Sequence, residues 1–184
     1  IIPGYSMMAA TATTFMLSII FLLLSEQSKK QYMRFWGISW LVYSAMFLLD
    51  FCHLNWDFIY LGYVMLRQML ALLGAYTFLL GTHHFFQTKY PASLGFAAIL
   101  STISMSLYPA ISPVYTLMII PNIIFSSGLL IYSGCMFIAI SWTQKLPEKL
   151  IASFLIILWS IFINHFAFSL KNQQLEIFSY FISI

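Results

Sequence analysis

The chain has 184 residues, 61% of them hydrophobic and 7% charged, with a mean hydropathy of +0.90. Soluble domains carry about 25% charged and about 45–50% apolar residues, so eight Lys+Arg and five Asp+Glu cannot clothe a water-facing surface. A soluble enzyme, a disordered chain and a nucleic-acid binder, which needs basic clusters, are all excluded. The sequence is that of an integral membrane protein, and its first partner is the lipid bilayer.

A bilayer core needs about 20 mostly apolar residues per helix. Measured that way, the sequence predicts an all-α polytopic transmembrane helix bundle. Six complete spans are expected at about 5–25, 35–52, 58–82, 92–108, 114–142 and 150–170, with the start of a seventh from 177. A β-barrel would show short alternating segments instead of continuous apolar runs. The third and fifth runs are long enough to tilt or to project from the bilayer. Short connections predict antiparallel neighbours, and the lack of a repeat or low-complexity linker predicts one domain over 1–184. The chain begins Ile1-Ile2-Pro3 and stops at Ile184 inside an apolar run, so both ends are expected to be cut edges. No basic segment precedes the first run, so no cleavable signal peptide is expected.

Loop charges predict the orientation. The connection 26–34 holds Lys29, Lys30 and Arg34, the stretch 83–91 holds Lys89, and 143–149 holds Lys145 and Lys149. The opposite connections hold only Lys171. The positive-inside rule places the basic side in the cytoplasm and the N-terminus outside.

An ionisable residue at mid-depth costs about 2.5–3.5 kcal/mol on insertion scales, so each needs a reason. Arg67 and Gln68 lie well inside the third span, and Asp50 lies near the outer end of the second. Arginine is long enough to reach outward, so an Asp50–Arg67 pair is expected. It would either lock two helices together or belong to a ligand site. Asn122 follows Pro121, where a proline kink frees a carbonyl that Asn can satisfy. Asn164 and His165 lie in the outer half of the sixth span. All six ligand-site candidates (Asp50, Arg67, Gln68, Asn122, Asn164 and His165) fall in the outer halves of their spans, which suggests a cavity open to the outside. The inner halves are apolar apart from Ser, Thr and Tyr. Trp56, Tyr60, Tyr63, Tyr108 and Tyr115 read as an aromatic belt.

Other signals are sparse. Cys52 and Cys135 read as two buried apolar residues, not a disulfide framework. Adjacent His83 and His84 point about 100° apart on a helix, and no helical His pair has metal-ligand spacing, so neither metal nor cofactor is expected. No nucleophile–base arrangement, phosphate loop or carboxylate pair suggests an enzyme. Gly74 with Gly81, and Gly128 with Gly134, mark close helix packing at most.

Three segments together carry a resemblance: Arg34-Phe35-Trp36-Gly37-Ile38-Ser39-Trp40, then Leu73-Gly74-Ala75-Tyr76 through Gly81-Thr82-His83-His84-Phe85-Phe86, and Ile156-Ile157-Leu158-Trp159-Ser160. They resemble the seven-helix membrane sensory modules found ahead of histidine kinase or diguanylate cyclase domains in bacterial signalling proteins. Where that family continues with Gly, His and a Tyr-Pro pair, this chain has Ser160, Phe162 and Phe166-Ala167. The resemblance implies a multi-pass protein of the bacterial inner membrane with a cytoplasmic C-terminus. No residue role is carried over.

The leading expectation is a sensory receptor module that binds a small ligand in the outer cavity and signals to a cytoplasmic output domain, as a homodimer. The alternative is a small membrane transporter or substrate-capture subunit using the same cavity. An intramembrane enzyme comes third.

Overall fold

A segment that lies in hydrocarbon must bond its backbone internally, and among the described residues the apolar runs accordingly form six α-helices. These are α1 (Ile2–Ser28), α2 (Gln31–Asn55), α3 (Tyr60–Phe86), α4 (Ala92–Leu107), α5 (Tyr115–Gln144) and α6 (Pro147–Ser169). The computed structural model describes the backbone of all residues except 1, 56–59, 90–91, 108–114, 145–146 and 170–184, and most side chains of the remainder. Among the described residues there is no strand. Among the described residues, four segments are long and apolar enough to cross a membrane: Met7–Ser28, Gln31–Cys52, Gly62–Phe86 and Pro121–Ser141. The 16-residue α4 is shorter than any of these four. The run expected from 177 lies outside the described residues.

The chain divides into two compact units, Ile1–Asn122 and Ile123–Ile184, and the division falls inside α5 directly after Pro121-Asn122. In the first unit α1 packs on α2, α2 on α3, and α3 on α4. Of the four membrane-length segments, that of α3 is the most enclosed and that of α1 the least.

Small residues set the helix spacing. Ser18 Oγ donates 2.8 Å to the Gly37 carbonyl across α1–α2, and Ser39 Oγ donates 2.8 Å to the Gly74 carbonyl across α2–α3. The second unit repeats the device: Ser153 Oγ on α6 donates 2.9 Å to the Gly134 carbonyl on α5. Each Gly lacks a Cβ that would hold the neighbour away, and each carbonyl has a lone pair left after its helical bond. A Cβ on Gly74 would meet the Tyr43 ring at 2.9 Å, and one on Gly81 would meet the Trp36 ring at 2.5 Å. Gly128 is different, with nothing within 4 Å. Two of the sequence segments singled out above, around Trp36-Gly37 and Gly74–Phe86, therefore pack on one another. At that end Trp36 stacks on Phe78 and meets Tyr32, Phe85 and Phe21, while Phe35 stacks on His84 at 4.9 Å.

Helix α3 runs through His83 and His84, which the sequence assigns to a connection. It ends in a Schellman cap: Thr88 N–H donates to the His83 carbonyl and Gln87 N–H to the His84 carbonyl, with Gln87 at φ 53°. The Thr88 hydroxyl, 2.7 Å from His83 Nδ1, seals it. The cysteine expectation is corrected. Cys135 is exposed and Cys52 only half-buried, because both fall off the packed faces of their helices.

The glycine contacts generate a paired prediction. Gly81→Ala drives a methyl into an indole ring and should cost about 1–3 kcal/mol. Gly128→Ala enters open space and should be neutral or stabilising by up to about 1 kcal/mol. Thermal melts of the two variants in detergent check the contrast.

Candidate functional site

Near the C-terminal end of α2, Asp50 has no exposed surface. Tyr63 and Arg67 are spaced i, i+4 on α3, so both side chains leave the same helix face, and that face is packed on α2. Arg67 Nε donates to Asp50 Oδ1 at 2.8 Å, and Tyr63 Oη donates to the same oxygen at 2.8 Å. Arg67 is 6% exposed and Tyr63 5%, so the ion pair is shielded on both sides. The second carboxylate oxygen, Asp50 Oδ2, is buried and accepts no hydrogen bond among the described residues.

Burying a carboxylate and a guanidinium costs several kcal/mol per ion, and their attraction repays it only if the remaining polar atoms are also satisfied. Here two donors converge on one oxygen and the other is left bare. The carboxylate therefore keeps capacity for one more donor.

The pair expected from the sequence is present. Gln68, the next residue along α3, is buried at 2% exposure. Asn122 is buried on α5, but its Nδ2 donates to nothing among the described residues. The expectation that it satisfies a carbonyl freed by Pro121 is therefore corrected: that amide nitrogen stays unmatched. The side chains of Asn164 and His165 lie outside the described residues. The sequence places Tyr63 in the aromatic belt, and this too is corrected, since it is a buried donor to Asp50. Its i, i+4 spacing to Arg67 was the available signal. Of the other belt residues, Trp56 and Tyr108 lie outside the described residues, as do the side chains of Tyr60 and Tyr115.

Cavities occur among the described residues of the first unit. One, of about 380 Å³, is an apolar crevice between α3 and α4 lined by Gly62, Met65, Leu66, Met69, Thr102, Ile103 and Leu107. Its α3 residues are spaced i, i+3, i+4 and i+7, a face that contains neither Tyr63 nor Arg67. Another lies at the α1–α2 turn. Neither is lined by Asp50, Arg67, Gln68 or Asn122. Among the described residues no three His, Cys, Asp or Glu side chains gather as a metal site would require. No protein-family model, curated protein or solved structure matches the chain.

The cluster predicts strong coupling between its members. Asp50→Asn or Arg67→Met alone should destabilise the protein by about 3–5 kcal/mol, and the double variant should recover much of that loss. Tyr63→Phe, which removes one bond to a charged acceptor, should cost about 1.5–3 kcal/mol. Denaturation in detergent measures all four, and equal damage from single and double variants would show that Asp50 and Arg67 do not interact.

Proposed function

We propose that the chain is a membrane-embedded sensory receptor module of the bacterial inner membrane, with six complete spans, a seventh beginning near 177 and the N-terminus outside. The observation that carries this reading is the bare Oδ2 of Asp50. A pair that served only to lock α2 to α3 gains most from forked pairing, in which both carboxylate oxygens are engaged. A small amphipathic ligand with a hydroxyl, amine or amide N–H can supply the missing donor. It would favour the helix arrangement in which that oxygen is accessible, and so shift the population between two packings of α2 and α3. The seventh helix would pass that shift to a cytoplasmic kinase or cyclase, working as a homodimer.

The apolar course of α3 beyond the cluster favours reception over transport. The helix continues Met69-Leu70-Ala71-Leu72-Leu73, and the Thr77 hydroxyl beyond is already given to the carbonyls of Leu73 and Gly74. On α6 the Ser153 hydroxyl is given to Gly134. A polar solute passing these residues finds few free partners, and each unsatisfied group costs at least about 1–3 kcal/mol.

Three measurements test the proposal. A thermal-shift screen of the purified protein against short-chain amphipathic acids, alcohols and amines should find a stabilising class whose effect is lost in Asp50→Asn but kept in Thr77→Val. The same compound should bind from one side of sealed proteoliposomes without accumulating inside, and accumulation would make the protein a transporter. For the topology, Gln27→Cys should resist a membrane-impermeant maleimide in intact cells. Ready labelling there would reverse the orientation.

A further inference from the structure

The turn joining α1 to α2 holds a second site, unrelated to the Asp50 cluster. A cavity of about 570 Å³ lies there, lined by Leu22, Ser25, Glu26, Lys29, Gln31 and Arg34. The spacing explains it: residues 22, 25 and 26 form one face of the last turns of α1, Lys29 follows in the turn, and 31 and 34 form one face of the first turn of α2. Lys29 sits past the end of α1 with φ 54°, a left-handed backbone that ends the helix and turns the chain within two residues.

Of the three cations in this connection, Lys30 lies over the Tyr32 ring, with Nζ 5.9 Å from its centroid, and does not line the cavity. Lys29 and Arg34 do line it, and neither is ion-paired to a described residue. Glu26 is the one acid among the described residues of the wall, so these side chains give the cavity a net single positive charge. The wall becomes apolar at Leu22, whose side chain rests on Gly37. One and two helical turns further along that face of α1, Ile19 is 42% and Phe15 47% exposed. Both belong to the membrane-length segment Met7–Ser28.

We infer that this cavity binds the headgroup of an anionic phospholipid. Lys29 and Arg34 would hold the phosphodiester, and one acyl chain would lie along Leu22, Ile19 and Phe15. A net charge of one suits a singly charged phosphodiester, and Glu26 can accept from a headgroup hydroxyl. The apolar track is what separates a lipid from a free phosphate, which would gain nothing from it. Basic residues next to an anionic membrane surface contribute about 1 kcal/mol each, equivalent to about fivefold in binding per cation.

The test is native mass spectrometry of the full protein released from nanodiscs of mixed phosphatidylglycerol and phosphatidylcholine. The wild type should retain phosphatidylglycerol in preference. Lys29→Gln/Arg34→Gln should lower that retention roughly 25-fold, Lys30→Gln should leave it near wild type, and Glu26→Gln should raise it. Circular dichroism melts confirm that each variant is folded before comparison. Undiminished retention in the folded double variant, an equal loss in Lys30→Gln, or displacement of the lipid by millimolar inorganic phosphate would each overturn the assignment.

Discussion

A hydroxyl or carboxylate enclosed among apolar helices has no water to return to, and this constraint organises the helix contacts of the protein. Each such group must find a partner within the protein or lose the free energy of its hydration. The hydroxyls of Ser18, Ser39 and Ser153 find theirs in glycine carbonyls of the neighbouring helix. Those of Thr11, Thr14, Thr77 and Thr82 turn back on their own helix, four residues earlier. The interhelical bonds need a close approach, which explains why Gly37, Gly74 and Gly134 have little or no room for a Cβ. Polarity and small size are thus one requirement, not two.

Asp50, like Asn122, is a place where the same constraint is only half met. Its Oδ1 receives both Arg67 and Tyr63, while Oδ2 receives nothing among the described residues. A serine bonded to a carbonyl has one stable arrangement and resists change. A carboxylate with an idle oxygen can accept a further donor without losing the first two. The rigid clasps at Ser39–Gly74 and the aromatic packing around Trp36 hold the other end of the α2–α3 pair. Any movement admitted at Asp50 is therefore confined to one end of that pair. The proposed receptor draws on this asymmetry, in which one end of the pair is fully bonded and the other holds an unused acceptor.

Much of the architecture was legible in the sequence because apolar run length maps directly onto helix length. Helices α1, α2 and α3 extend a few residues past the expected runs, since a helix continues beyond the hydrocarbon into polar residues such as Gln27, Gln31 and His84. The Asp50–Arg67 pair was legible because two opposite charges in adjacent spans have few other partners. Tyr63 was missed because a tyrosine near a helix end reads equally well as an interfacial anchor. Composition could not say which helix face meets α2. For the same reason Cys135, expected inside, is exposed. Whether Asn122, Asn164 and His165 share a cavity with the others is a tertiary property that helical periodicity does not encode.

The proposed receptor requires that Asp50 and Arg67 form a direct buried pair in the folded protein in a bilayer, since the unused Oδ2 has meaning only beside a paired Oδ1. Magic-angle-spinning NMR on uniformly ¹³C,¹⁵N-labelled protein in lipid tests it most directly. A through-space correlation between Arg67 Nε and the Asp50 carboxylate carbon is predicted from the 2.8 Å Nε–Oδ1 contact. Tyr63→Phe should shift the carboxylate resonance without abolishing that correlation. A well-resolved spectrum in which Arg67 Nε shows no correlation to Asp50 would contradict the account.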